Sequence, residues 1–402
     1  MNRIILIGNG FDKASGLETS YGDFILWYFK SIFEEKLKGE VTEGKHFYKD
    51  PLLSVKNFRV ESISFFAKAI AELDDVLELK RLKSFYIQGF SDGNPEANHA
   101  RINLSSEFFK NLLLNKTWGE IESEYFKALY RIKVKVYDRN NPYSFEHTRK
   151  EDIERLNKEF EFIRETFSKY IKEVDSQINL EEESEKKFKS NFITKCLDNP
   201  NDGLLDDCFY VKDKIVFEEK EELIEVDTMN RNLENVVFVN FNYTTNLIKQ
   251  LFKFQGEKGF GFKLDEIRIH GNITEEDERG IIFGYGDDTA KEYREIEQDG
   301  NNEYLRFMKS TQYFHDDKYK RIISYINDDR FELFVAGHSL SLSDRVLLKT
   351  IVEHDNCRLI RFFHRGNYED YRTLVGAMTR HFDDKIKMRS KFLPYDKGDT
   401  IS

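Results

Sequence analysis

The sequence predicts an α/β protein: a parallel sheet with helices on both faces, interrupted by a large all-helical insertion. Three observations predict it. Short, near-continuous apolar runs recur at both ends of the chain, as expected of strands buried on both faces. Each run stops at a cluster of Gly, Asn, His or Ser, and three lead directly into a helical pattern. Between the first run and the second, the periodicity is helical rather than alternating.

The first run, Ile4-Ile5-Leu6-Ile7, ends at Gly8-Asn9-Gly10-Phe11-Asp12. A strand that delivers its carboxyl end to paired glycines suits a phosphate-binding turn, because a backbone without Cβ atoms can approach a ligand closely. The third glycine falls at Gly16, which departs from the ordinary dinucleotide fingerprint. The same residues also fit a tight turn after a core strand. Lys13–Gly16 is expected to continue the loop, and Ser20 to cap the next helix. Asp23–Leu37 and Ser62–Leu79 carry apolar residues at helical spacing, whereas Lys38–Phe58 and Phe85–Asn103 read as loops with at most a short element. Thr117-Trp118-Gly119-Glu120 matches a capping box. Glu151–Ile178 is the most regular helix, its stripe Ile153, Leu156, Phe160, Ile163, Phe167, Ile171, Val174 and Ile178 suiting a bundle or coiled-coil seam. The charged run Glu181–Lys189 suits a solvated surface.

Further strands are expected at Val236–Val239, Glu266–His270, Gly280–Phe283, Phe331–Ala336 and Cys357–Phe363. Helices are expected from about Leu247, over Ser343–Glu353 and over Glu369–His381, with a weakly structured tail after Lys385. The resulting division is a discontinuous domain of residues 1–22 and 235–385, a helical insertion of 23–234 and a tail of 386–402.

Composition narrows the function classes. The chain has 402 residues, 36 Phe and 20 Tyr among them, so an aromatic-rich core can form. A net charge of −11 disfavours duplex DNA held on a basic face. No apolar segment reaches bilayer length, and the N-terminus shows no signal-peptide pattern, which together predict a cytoplasmic protein. Cys196, Cys208 and Cys357 form neither a zinc spacing nor a disulfide framework. Asp287 and Asp288 lie in no regular metal spacing, and no metal is expected.

In parallel sheets ligands sit beyond the carboxyl ends of the strands, so the strand-end residues are the candidates. Asn242 can hold a ribose hydroxyl or a water, or serve as an Asx-turn residue. Asn240 and Asn246 share the second reading. His270 can act as a base near neutral pH, or be a strand-end histidine satisfied by the backbone. His338 favours the structural role. Asp12 can contact a ribose, orient a catalytic group or cap its own loop. Gly337-His338-Ser339-Leu340-Ser341 resembles a nucleophile elbow lacking its final glycine; Asp344 lies too near it for a hydrolase triad with His364.

The opening Ile-Leu-Ile-Gly-Asn-Gly-Phe-Asp with Thr19–Phe24 resembles the bacteriophage abortive-infection AbiH family. So do Phe241-Asn242-Tyr243-Thr244, Ile269-His270-Gly271, Phe283-Gly284, and Gly337–Leu340 with Asp344; Trp118 and Glu122 suit its helical region. That family resembles, more distantly, the sirtuin-like, Rossmann-like NAD-binding fold. The resemblance implies NAD as substrate or ligand, a pyrophosphate turn at Gly8, Asn9, Gly10 and Phe11, and Asn242, His270 and Asp12 as catalytic residues. It also implies Tyr243, Gly271, Gly337, His338, Ser339 and Asp344 as nucleotide contacts. The zinc-binding cysteine module of protein deacetylases is missing, which argues against lysine deacetylation. The expectation is an antiphage effector that hydrolyses the nicotinamide-ribose bond. It would self-associate through the helical insertion and answer to a phage trigger or partner protein, with no membrane or nucleic-acid partner. The alternatives are a non-catalytic nucleotide sensor and a nucleic-acid-cleaving toxin.

Overall fold

The computed structural model describes residues 1–37, 47–56, 69, 72–73, 75–81, 85–88, 91, 100–114, 118–135, 142–178, 192–197, 233–255, 261–273 and 280–401. Its strands, in chain order, are β1 (Asn2–Ile7), β2 (Phe47–Lys49), β3 (Leu53–Lys56), β4 (Phe85–Ile87), β5 (Ala100–Leu104), β6 (Asn235–Asn240), β7 (Lys263–Arg268), β8 (Phe331–Ala336) and β9 (Cys357–Phe363). The chain divides into two compact units. One comprises Met1–Leu17, Val174–Ile282 and Gln312–Ser402; the other comprises Glu18–Glu173 and Phe283–Thr311.

The first unit is built on a five-stranded parallel sheet in the order β7-β6-β1-β8-β9. Side chains alternate across a strand, and here both faces are covered. Ile4 and Leu6 enter one core with Val237, Val239, Leu333 and Val335, roofed by Ile322 and Ile326 of the helix Lys318–Asp328 and by Leu347, Leu348 and Ile351 of the helix Arg345–Val352. Ile5 and Ile7 enter the opposite core with Phe238, Phe334, Phe192 and Cys196, covered by Leu247 and Leu251 of the helix Asn246–Gln255. This double burial is why the central strands β1, β6 and β8 read as near-continuous apolar runs. The architecture is α/β and Rossmann-like, as predicted.

The strand order fixes where a ligand site can form. From β1 the sheet grows one way through β6 and β7, then the chain crosses over and grows the other way through β8 and β9. The order reverses between β1 and β8. A crevice opens outside the carboxyl ends of the strands at such a reversal, and the segments there are Gly8 with the start of the helix Asn9–Ala14, and Gly337–Ser339.

Several expectations are corrected. Asn9–Ala14 is a short helix rather than a loop. β7 ends at Arg268, so His270 lies two residues beyond the strand. Gly280–Phe283 is not a strand; Ile281, Ile282 and Phe283 are buried between Gly280 (φ 65°) and Gly284 (φ 157°), and a short apolar run cannot distinguish a packed loop from a strand. The tail forms the helix Lys385–Lys391 and then lies parallel to β9, with bridges Ile360–Phe392 and His364–Thr400.

The second unit contains helices Tyr21–Ser31 and Trp118–Val134, and Pro142–Ser176 as far as Glu173. Ser20 caps the first, forming a capping box with Asp23. The stripe from Ile153 to Phe167 is spent on the unit's own core, where the Phe160 ring lies 4.0 Å from Tyr125 and 5.1 Å from Phe283. The insertion is not all-helical: β2–β5 form a four-stranded sheet in the order β2-β3-β5-β4. Those strands are three to five residues long, too short to show a period, which is why they read as loops. Most of Ser62–Leu79, Thr117, Glu181–Lys189 and Cys208 lie outside the described residues.

Candidate active site at the carboxyl ends of the strands

The loops after β1 and β8 clasp each other backbone to backbone. Gly8 donates its N–H to Ala336 O (3.1 Å), and Gly10 to Gly337 O (2.8 Å). A Cβ on Gly8 would lie 2.5 Å from His338 Cα, one on Gly10 2.7 Å from Gly337 Cα, and one on Gly337 (φ 67°) 2.3 Å from Phe11 N. No Cβ fits at those distances, so the glycine pattern is explained by loop-against-loop packing. The N–H groups of Gly8, Gly10 and Phe11, the last bonded to Gly8 O at 2.9 Å, all point into the protein. These amides, at the turn expected to hold a pyrophosphate, are engaged within the protein. Phe11 turns its ring into the core against Phe192. Asn9 remains half-buried in the turn.

Asn242 stands behind this clasp. Its backbone N–H bonds Asn240 Oδ1 (2.9 Å), the Asx turn expected of the asparagine pair, and its Nδ2 donates to Gly8 O (3.1 Å). The carboxamide is thus pinned, with Oδ1 its accepting end. Asp12 does not cap its own loop. Its carboxylate accepts from Thr244 Oγ1 (2.8 Å) and Asn246 Nδ2 (3.0 Å), and Asn246 and Gln250, one turn apart on one helix, both donate to Ser15 Oγ. Asp12 is 1% exposed, and burial pushes its carboxyl up from 3.8 to about 6 despite those two donors.

A second cluster joins three strands' loops. Asp344 precedes the helix Arg345–Val352 but makes no side-chain cap bond to it. Its Oδ1 lies 3.2 Å from His270 Nε2 and its Oδ2 3.6 Å from His338 Nε2, all three side chains being less than 10% exposed. His338 Nδ1 accepts the N–H of Leu340 (2.9 Å), so its proton sits on Nε2, toward Asp344. Phe241 packs edge-on against both imidazoles, and Tyr243 stacks on His270 while its hydroxyl donates to Ile282 O. Gly271 (φ 86°) turns the chain beside His270, and Ser339 is exposed at the rim. Asp344 pairs with these histidines and not with His364, whose Nε2 donates to Asp396 O; the hydrolase arrangement is absent.

The structure thus brings Gly8, Gly10, Asn242, His338 and Gly337 together at the reversal, and joins His270, Asp344 and His338 beside them. Sequence reading missed Ser15, Gln250 and His381, and named Thr244 only within the family motif. The i, i+4 spacing of Asn246 and Gln250 was the one available signal for that network; His381 had none. Among the described residues no grouping of His, Cys, Asp and Glu suits a metal.

The family model for bacteriophage abortive infection AbiH matches residues 4–364. The chain belongs to the AbiH family. The match runs from the first strand past the last, and so covers every residue of the two clusters, placing them in a protein of phage abortive infection. No curated protein matches this AbiH chain. No helix among its described residues is long and apolar enough to cross a membrane.

Proposed function

We propose that this AbiH protein binds NAD at the β1–β8 reversal and hydrolyses its nicotinamide-ribose bond, arresting growth of an infected cell in the cytoplasm by NAD loss. The observation that carries the reading is the buried Asp344 carboxylate facing His270 at the crevice expected to hold a nucleotide. With Nε2 set against the Asp344 carboxylate, His270 would carry its proton there and keep its lone pair on Nδ1, where it could take a proton. In the proposed step water attacks C1′ of the nicotinamide ribose. The glycosidic electron pair departs with neutral nicotinamide, and the water proton passes to His270, giving ADP-ribose. Asn242 Oδ1 would hold a ribose hydroxyl, and Tyr243 and Ser339 would flank the ligand. Self-association through the helical unit and a phage trigger or partner protein complete the proposal.

The sensor reading keeps the same glycine turn and Gly337–Ser339 loop without turnover, and the engaged amides of Gly8, Gly10 and Phe11 and Nδ2 of Asn242 bear on both nucleotide readings alike. The toxin reading is disfavoured by the −11 charge. Nicotinamide release from NAD, followed for wild type, His270→Ala, Asn242→Ala and Asp344→Asn with and without phage lysate, separates them. Turnover in wild type that falls by roughly 100-fold or more in His270→Ala supports the enzyme. Saturable NAD binding without product moves the function to sensing, and cleavage of RNA or DNA without NAD binding overturns both.

A further inference from the structure

Leu340 is the one non-glycine residue with positive φ (55°) among the described residues, and it sits between His338 and Asp344. Side chains rarely adopt that conformation without something to hold them. Two histidines grip its backbone. His338 Nδ1 accepts the Leu340 N–H (2.9 Å), and His381 Nε2 donates to the Leu340 carbonyl (3.0 Å). His381 follows the helix Tyr368–Thr379 and is fully buried; its own N–H is bonded to Met378 O. A carbonyl only accepts, so His381 carries its proton on Nε2. The two peptide groups flanking Leu340 Cα are therefore tied, one by each histidine, and their relative orientation is the left-handed turn.

The geometry points to His381 as a positioning residue of the site: by pinning Leu340 left-handed, it aims the Leu340 N–H at His338 and so holds His338 in the Nε2–H tautomer facing Asp344. His338, its Nδ1 lone pair occupied, orients the carboxylate and does not act as a base. Proton transfer is left to the His270–Asp344 couple. This rests on the site assignment above and not on the identity of the substrate.

Imidazole nitrogen shifts of the ¹⁵N-histidine-labelled full chain at neutral pH test it directly. Wild type is expected to show His338 as a single Nε2–H tautomer; an Nδ1–H or charged His338 overturns the proposal with no variant needed. His381→Gln keeps a donor at the reach of Nε2 and should preserve that signature. His381→Asn, whose amide is too short to reach the carbonyl, should show tautomer averaging at His338 and, if NAD is turned over, roughly 10-fold lower activity with KM little changed. A folded His381→Asn with the His338 tautomer intact overturns the proposal. A moved tautomer in a protein that never releases nicotinamide sustains it and instead defeats the hydrolase reading.

Discussion

Burial makes the charge of Asp12 costly to hold. Its carboxylate accepts two side-chain hydrogen bonds, yet desolvation outweighs them and raises its pKa from 3.8 to about 6. A raised folded-state pKa means the folded protein binds the proton more tightly than the unfolded chain. The stabilisation from that proton is complete below about pH 3.8 and is lost as pH rises through about 6. The gap is worth roughly 3 kcal/mol. Chemical denaturation from pH 4 to pH 7, set beside Asp12→Asn, should show wild type losing up to about that much relative to the variant as pH rises. Parallel stability curves would mean that Asp12 is already as acidic as in the unfolded chain. Asp344 is placed differently: its two oxygens face two imidazole Nε2 atoms rather than a hydroxyl and an amide.

At the scale of the elements, β1, β6 and β8 were legible because burial on both faces leaves a near-continuous apolar run ending at a glycine or polar residue, and β9 because its apolar residues outnumber Arg358 and Arg361. β7 was displaced because Lys-Leu-Asp-Glu-Ile-Arg at the sheet edge is only partly buried and carries no such run. Strand-end position also made Asn242 and His270 readable. It could not reveal that they take Gly8 and Asp344 as partners, since those bonds depend on the strand order, which local sequence does not encode. The interlocked glycines were visible, but their packing role was not, because the surface they touch comes from a loop beyond residue 330. The same long-range pairing hides an ion pair inside the sheet. Arg3 and Glu332 are direct partners across β1 and β8, both fully buried, with Arg3 Nε 3.0 Å from Glu332 Oε2 and its Nη1 donating to Cys196 O. Removing one member leaves a buried charge without compensation. Arg3→Met should therefore cost about 3–5 kcal/mol, while Arg3→Met with Glu332→Leu should recover most of it. Urea unfolding of the double-mutant cycle measures the coupling; additive losses would show that the two charges do not depend on each other.

For the whole molecule, neither unit is continuous in sequence. The first takes three stretches of chain and the second two, so the sheet is completed only after residue 330. β1 pairs Asn2 with Asn235 on one side and with Phe331 on the other. Such pairings must close very long loops before they are rewarded. A chain ended at residue 330 keeps β1, β6 and β7 but deprives β1 of a whole neighbouring strand. It also removes the Ala336 carbonyl that receives the Gly8 N–H, the Glu332 partner of Arg3 and the Asp344 partner of His270. Both stretches of the second unit remain in that fragment, including Glu122 and Lys309, whose buried ion pair spans 2.9 Å between them. Hydrogen exchange on the fragment should find the amides of β1 unprotected while those of the helix Trp118–Val134 stay slow. In the full chain the β1 amides should be among the slowest to exchange. Protection of β1 in the fragment would mean that β6 alone secures it, and that the strand-order reversal at β8 adds a crevice without being needed for the core.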